Sequence, residues 1–197
     1  MGITRPAFLL LASFMMASSA DAAEVMSRAE WGARKPVLAM EKQTPSRITV
    51  HHTATRSKHG LSIVKKMTSL QAFSQAKSKL ADGRTKEPWA DIPYHFYIAV
   101  DGKIAEGRQI SFVGDTNTKY NPAGHITIVV EGNFENEKPT TQELAALKTL
   151  IRDLSRQYGI PADRIGTHKD FAQTACPGKN LEGEVHRIAA ELGAKSQ

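Results

Sequence analysis

The chain has 197 residues, a formal net charge of +6 and one cysteine. That length suits one domain of ordinary size with a real core, and a single cysteine excludes an intrachain disulfide. A basic balance suits an anionic polymer such as cell wall, membrane surface or nucleic acid; the lysines and arginines are scattered, with no aromatic-interleaved basic stripe, so no nucleic-acid partner is expected.

Arg5, the apolar run from Ala7 to Ala17 and the small residues from Ser18 to Ala23 have the three regions of a secretory signal. The apolar run is shorter than the roughly 20 residues that span a bilayer. The expectation is a signal over residues 1–23, cleaved near Ala20 to Ala23, and one exported domain over residues 24–197. That domain is expected to be periplasmic or secreted, monomeric and without a membrane anchor after cleavage. Cleavage removes Arg5 and Asp21, one charge of each sign, so the net charge is unchanged. No cysteine lies near the cleavage site to carry a lipid.

Ser27 to Arg34 reads as a partly helical entry segment. Arg47 to His52 reads as a buried strand, because Ile48 and Val50 are apolar and Thr49 is β-branched. Leu61 to Leu80 carries apolar residues at Ile63, Val64, Met67, Leu70, Phe73, Ala76 and Leu80, the spacing of an amphipathic helix. Tyr94 to Val100 is a strand of aromatics and β-branched residues. Asp101-Gly102 then makes a tight turn and Lys103 to Glu106 returns, a hairpin signal. Ile126 to Val130 is another buried strand.

Thr140-Thr141-Gln142-Glu143 is a capping box. Leu144, Leu147, Leu150, Ile151 and Leu154 share one face of the helix it starts, and Gly159 and Pro161 stop that helix. Ile165 to Thr167 reads as a short strand. A last helix is expected from about Leu181 to Leu192, with Val185 and Ile188 inward. Strands mixed with helices argue for an α/β single domain with a central mixed β-sheet flanked by helices.

The chemistry-bearing residues are Cys176, His168 eight positions before it, and His51 at the end of the first strand. A free thiol in an exported chain is a liability unless it is buried or used. Thiolate and imidazole are ligands that zinc prefers, and three protein ligands leave a fourth position for water. Three ligands from separated segments do not declare themselves by local spacing, however. The zinc-protease motif of two histidines around a glutamate is absent, as is a serine nucleophile elbow.

Four stretches settle the matter by resemblance: Ser27 to Arg34; Val50-His51-His52-Thr53; Ile92 to Ile98 running on to Asp101-Gly102 and Glu106-Gly107-Arg108; and His168 to Cys176 ending in Pro177-Gly178. Tyr120-Asn121 and Gly132-Asn133-Phe134 add to them. In this order they resemble the superfamily of zinc-dependent N-acetylmuramoyl-L-alanine amidases, which includes peptidoglycan recognition proteins and the amidase-type phage lysozyme. The resemblance implies the matching fold and one catalytic Zn2+ held by His51, His168 and Cys176. It implies Tyr94 as the active-site tyrosine and Thr174 as a donor that helps polarise the scissile carbonyl. The implied substrate is peptidoglycan or a muropeptide, cut between N-acetylmuramic acid and L-alanine. Non-catalytic members of this family commonly lack the cysteine ligand, so Cys176 favours cutting over binding alone.

The chain departs from the family at Pro93, at Gln109-Ile110 after Arg108, and at Asp115, where a histidine is common. Strand alternation places His52 opposite His51, and His95 opposite Tyr94, as packed or supporting residues. His59, His125 and His186 read as surface or loop residues. Glu106 and Asp91 are candidates for the proton path to the leaving amine. Arg108 either lines the groove or caps the hairpin.

Overall fold

The structure, a computed structural model, describes residues 22–80 and 83–194. Of the expected secretory signal, all but Ala22 and Ala23 lies outside the described residues. The elements run in chain order β1 (Val25–Met26), β2 (Arg47–His52), α1 (Ile63–Gln75), β3 (Ser78–Lys79), β4 (Thr85–Lys86), β5 (Phe96–Ile98), β6 (Ile104–Glu106), β7 (His125–Val130), α2 (Thr141–Tyr158), β8 (Ile165–Thr167) and α3 (Lys179–Ala194).

Six strands form one sheet in the order β1-β6-β5-β7-β2-β8. The pairs β5–β7, β7–β2 and β2–β8 are parallel, whereas β5–β6 is an antiparallel hairpin. The sheet is therefore mixed, as expected. β3 and β4 form a separate small hairpin.

Each face of the sheet has its own core. Ile48, Val50, Ile126, Ile128, Val130 and Ile98 project to one face, against Leu147, Leu150, Ile151 and Leu154 of α2 and Leu181, Val185 and Ile188 of α3. Burying each such side chain stabilises the fold by about 1.5–3 kcal/mol. Tyr97, Ala99, Ala105 and Val129 project to the other face, against Trp31, Ile63 and Met67. Coverage of both faces explains why β2 and β7 read as nearly continuous apolar runs.

The capping box at α2 forms in full: Thr140 accepts from Glu143 N, and the Glu143 carboxylate accepts from Thr140 N. Gly159 closes α2 in the left-handed conformation. α1 ends at Gln75, short of the expected Leu80. The Lys86 ammonium, carried on β4, bonds the carbonyls of Ser74, Ala76 and Glu87 and takes over the end of the helix. The Ser27–Arg34 segment forms turns rather than a helix. Trp31 is anchored in the core with its indole N–H on the Glu106 carbonyl, and Gly32 follows at a φ of 75°, so the chain turns away.

Candidate metal centre

Register brings the three proposed ligands together. Val50 pairs with Thr167 across β2 and β8, so His51 on β2 lies beside His168, the residue that leaves the end of β8 and opens a 3-10 turn. Both rings lie on the α1 face, with centroids 4.5 Å apart. Cys176 comes from the loop after β8, and its Sγ lies 3.7 Å from His51 Nδ1. One donor atom from each of the three residues falls within 4.8 Å of the other two.

The donor chemistry fits a metal ion. His51 Nε2 and His168 Nδ1 are buried and have no hydrogen-bond partner. Burial, then the neighbouring His168, lowers the His51 pKa well below its ordinary value. Burial, then His52, brings His168 down to about 4. Both imidazoles are thus neutral at pH 7, the form that binds metal. Burial pushes the Cys176 thiol up to about 12, partly opposed by the His52 N–H that reaches Sγ at 3.4 Å. A bound cation is what would deprotonate such a thiol.

The loop is held from both sides. Asp170 accepts from Thr167 N at 2.6 Å and from its hydroxyl at 3.1 Å, which fixes the chain direction at His168. Gly178 sits against the backbone of Phe134 and Glu135, where a Cβ would meet Phe134 C at 2.4 Å. His52 projects to the opposite face, as expected; its Nδ1 accepts from Phe134 N at 3.2 Å, and its ring packs on the Phe134 ring.

Tyr94 reaches the centre through a break in strand alternation. Phe96 packs with the helical core of α2 and α3, and Tyr97 with the α1 core. Regular alternation would send Tyr94 with Phe96, yet Tyr94 joins the α1 core, 5.2 Å from the His51 ring. The break falls at His95, whose Nδ1 accepts from Thr127 N at 2.9 Å. Strand β5 accordingly starts at Phe96 rather than Tyr94. His95 is fully buried, with Nε2 2.8 Å from the Phe112 carbonyl, so it is the packed residue expected.

A cleft of about 300 Å³ opens over the centre, with Tyr94, Thr174, Trp89 and Asp115 on its walls. Thr174 Oγ1 accepts from Cys176 N at 3.2 Å, which leaves its own proton free to donate. Burial, then charge on Cys176, raises the Tyr94 phenol pKa, so it stays a donor at neutral pH.

Other expectations need correction. His125 is not a surface residue: it is buried in β7 on the face of His51, 2.8 Å from Thr49 Oγ1, and its ring meets those of Tyr120 and Phe171. His59 and His186 are exposed, as expected. The Asp91 carboxylate is buried and fully used by Arg28, Gln71 and Ile92 N, and Glu106 accepts from Arg28 N. Neither lines the cleft. Arg108 lines no groove; it is a buried strut that bonds the carbonyls of Asp91, Ile92 and Val113 and the Asp115 carboxylate. Asp115, which stands where the family pattern breaks, is the carboxylate on the cleft wall.

A mixed α/β sheet that gathers a His-His-Cys set able to hold a metal ion, and a tyrosine beside it at one cleft, has the architecture of the amidase class. The N-acetylmuramoyl-L-alanine amidase family matches residues 41–179, and the chain belongs to that family. It is 32% identical to peptidoglycan-recognition protein LB of Drosophila melanogaster over 167 residues, 83% of this chain and 68% of that one. Among solved structures, the endolysin N-acetylmuramoyl-L-alanine amidase LysCS of Clostridium intestinale superposes with a TM-score of 0.65 at 28% identity, over 87% of this chain and 97% of that one. Peptidoglycan recognition protein LE, solved in complex with tracheal cytotoxin, a monomeric diaminopimelic acid-type peptidoglycan, gives 0.68 at 29% identity, over 83% and 92%.

Proposed function

We propose that this protein is a zinc-dependent amidase that cleaves the bond between N-acetylmuramic acid and L-alanine in peptidoglycan or muropeptides. The observation that carries this reading is the convergence of His51, His168 and Cys176 at the floor of the cleft, with two buried ring nitrogens left bare. His51, His168 and Cys176 would hold the ion. Zinc bound there supplies Lewis acidity, polarising a carbonyl and bringing the pKa of water to about 7.

The chain's own donors do the rest. Tyr94 presents a protonated phenol to the oxygen on which charge develops in the tetrahedral transition state. A fixed donor of that kind is worth about 2.7–4 kcal/mol. Thr174, with its acceptor side occupied by Cys176 N, offers its proton to the same region. The complex of a relative with a peptidoglycan fragment supports a muropeptide as occupant of this cleft. We further propose that residues 1–23 are a secretory signal and that the domain over 24–197 acts outside the cytoplasm. No helix among the described residues is long and apolar enough to cross a membrane.

Incubation of zinc-loaded protein with muropeptides, read by mass spectrometry, tests the activity. The expected products are a free peptide beginning with L-alanine and a sugar with an intact lactyl acid. Cys176→Ala should release none. Intact muropeptides with zinc bound would instead assign the protein to the holders of peptidoglycan, the role in the names of its recognition-protein relatives. Products cut within the stem would make it a peptidase.

A further inference from the structure

We infer that Thr118 is a positioning residue that fixes the tautomer and the aim of the His168 ring. It acts from a loop that shares no sequence neighbourhood with the metal-binding segments. The inference rests on the reading of His51, His168 and Cys176 as a metal set.

The hydroxyl contacts run in either direction, and the reading of His168 Nδ1 as the ligand selects one. Thr118 Oγ1 lies 2.7 Å from His168 Nε2, and Thr116 Oγ1 lies 2.8 Å from Thr118 Oγ1. Thr116 Oγ1 also accepts from Thr118 N at 3.1 Å and keeps a second lone pair for the Thr118 hydroxyl. With Nδ1 as the ligand atom, the ring proton sits on Nε2, Thr118 Oγ1 accepts it, and the Thr118 proton goes to Thr116. A neutral imidazole carries one proton, so His168 Nδ1 is left as a bare lone pair. That nitrogen is the one that is buried without a partner. With the roles reversed, the proton would sit on Nδ1 and the ring could not serve as a ligand.

The loop is itself anchored. Asp115 pairs with Arg108, and Arg108 also bonds the carbonyls of Asp91 and Ile92, just before Tyr94. One buried guanidinium thus ties the segment that supplies Tyr94 to the loop that orients His168. Partners of metal-binding histidines that accept the remote ring N–H commonly govern affinity by about 10–100-fold.

The test uses full-length Thr118→Val, which keeps the shape but removes the hydroxyl, and Thr118→Ser, which restores it. Zinc affinity is measured by competition with a chromophoric chelator, and the His168 tautomer by 15N NMR of the metal-free protein. Thr118→Val should bind zinc about 10–100-fold more weakly, and its His168 should populate the Nδ1–H form. Thr118→Ser should match wild type in both measurements. Unchanged affinity in Thr118→Val, or an Nδ1–H tautomer in wild type, overturns the assignment. Should wild type fail to bind zinc, the proposed function falls while the tautomer measurement still decides the role of Thr118. If Thr118→Val does not fold, the tautomer of wild type and of Thr118→Ser decides it.

Discussion

Substitution of Gly178 by alanine tests whether the cysteine loop is held as tightly as the centre requires. Gly178 has a φ of 91°, a region that side chains rarely adopt. An added Cβ would lie 2.4 Å from Phe134 C, 2.6 Å from Glu135 N and 2.8 Å from Phe134 O. All three are backbone atoms, so no rotamer relieves the contact. Backbone strain of this kind costs about 1–3 kcal/mol, and overpacking a further 1–3 kcal/mol or so. For a domain of this size 1 kcal/mol shifts Tm by about 2–4 °C, so the variant should melt roughly 5–20 °C lower. Relief requires the loop to back away from Phe134, and Cys176, two residues upstream, moves with it. Zinc retention after dialysis should fall along with Tm.

Gly183→Ala is the matched control. Gly183 is exposed in α3 with nothing within 4 Å of its would-be Cβ. Alanine there should raise stability by about 0.4–1 kcal/mol through a less flexible unfolded chain. Thermal melts by circular dichroism and zinc stoichiometry on both proteins make the comparison. A Gly178→Ala protein with wild-type Tm and full zinc retention would refute the argument that the Phe134 backbone sets the position of the thiol.

Tyr94→Phe should lower kcat by about 10²–10³ with zinc content unchanged, because only the donor is removed; steady-state kinetics on a muropeptide decide it, and an undiminished kcat would remove Tyr94 from the chemistry. Glu131 is buried and accepts from Lys66 Nζ at 2.7 Å, Lys58 N at 2.9 Å and Val100 N at 3.1 Å. Glu131→Ala strands the buried Lys66 charge and should cost about 3–5 kcal/mol in urea unfolding, most of it recovered in a Glu131→Gln, Lys66→Met double variant, which removes both charges and keeps an acceptor for the backbone N–H groups. Burial, opposed by the bonds from Thr140, raises the Glu143 carboxyl from 4.5 to about 7. Because the folded-state value is the higher one, its contribution is complete below pH 4.5 and is lost as pH rises through about 7. Glu143→Gln keeps an acceptor for Thr140 N, so its stability should fall less than that of wild type between about pH 5 and 8; equal slopes in pH-dependent melts would show that Glu143 titrates normally.

What was legible in the sequence was local. The Thr140–Glu143 box needs four consecutive residues and forms as read. β2 and β7 were legible because β-branched runs buried on both faces have no other use. The two-residue strands β1, β3 and β4 were not, since Val25 pairs with Ile104 and nothing near either residue says so. The Leu61 to Leu80 helix was drawn too long because its pattern continues past Gln75. What stops it is an ammonium from Lys86, 10 residues beyond the last carbonyl it caps. His125 was misplaced because a histidine at a strand entrance looks polar. Its partner, Thr49, lies 76 residues away. Thr118 carries no local signal, since it meets His168 across 50 residues. Tyr94 was found by resemblance alone; strand alternation would have turned it from the centre, and the break at His95 depends on Thr127 of a neighbouring strand.

The balance between cutting and holding rests on where the fold tolerates cost. Among the described residues, six buried side-chain polar atoms lack a hydrogen-bond partner. Two of them, His51 Nε2 and His168 Nδ1, belong to the proposed metal set, and a third, Tyr120 Oη, belongs to the ring packed 5.1 Å from His168. Each bare group costs about 1–3 kcal/mol, and a thiol buried beside two imidazoles adds nothing that a serine or leucine would not supply more cheaply. A protein that only held peptidoglycan would gain stability by replacing them, because a rim of hydrogen-bond donors is enough to hold a sugar-peptide. A cation held there would offset the cost at each ring nitrogen it binds and would deprotonate the thiol. Local penalties that persist at one point of an otherwise consistent fold mark the place where function is built. Here that point is the floor of the cleft that Tyr94 and Thr174, the two donors proposed for an amide transition state, also line.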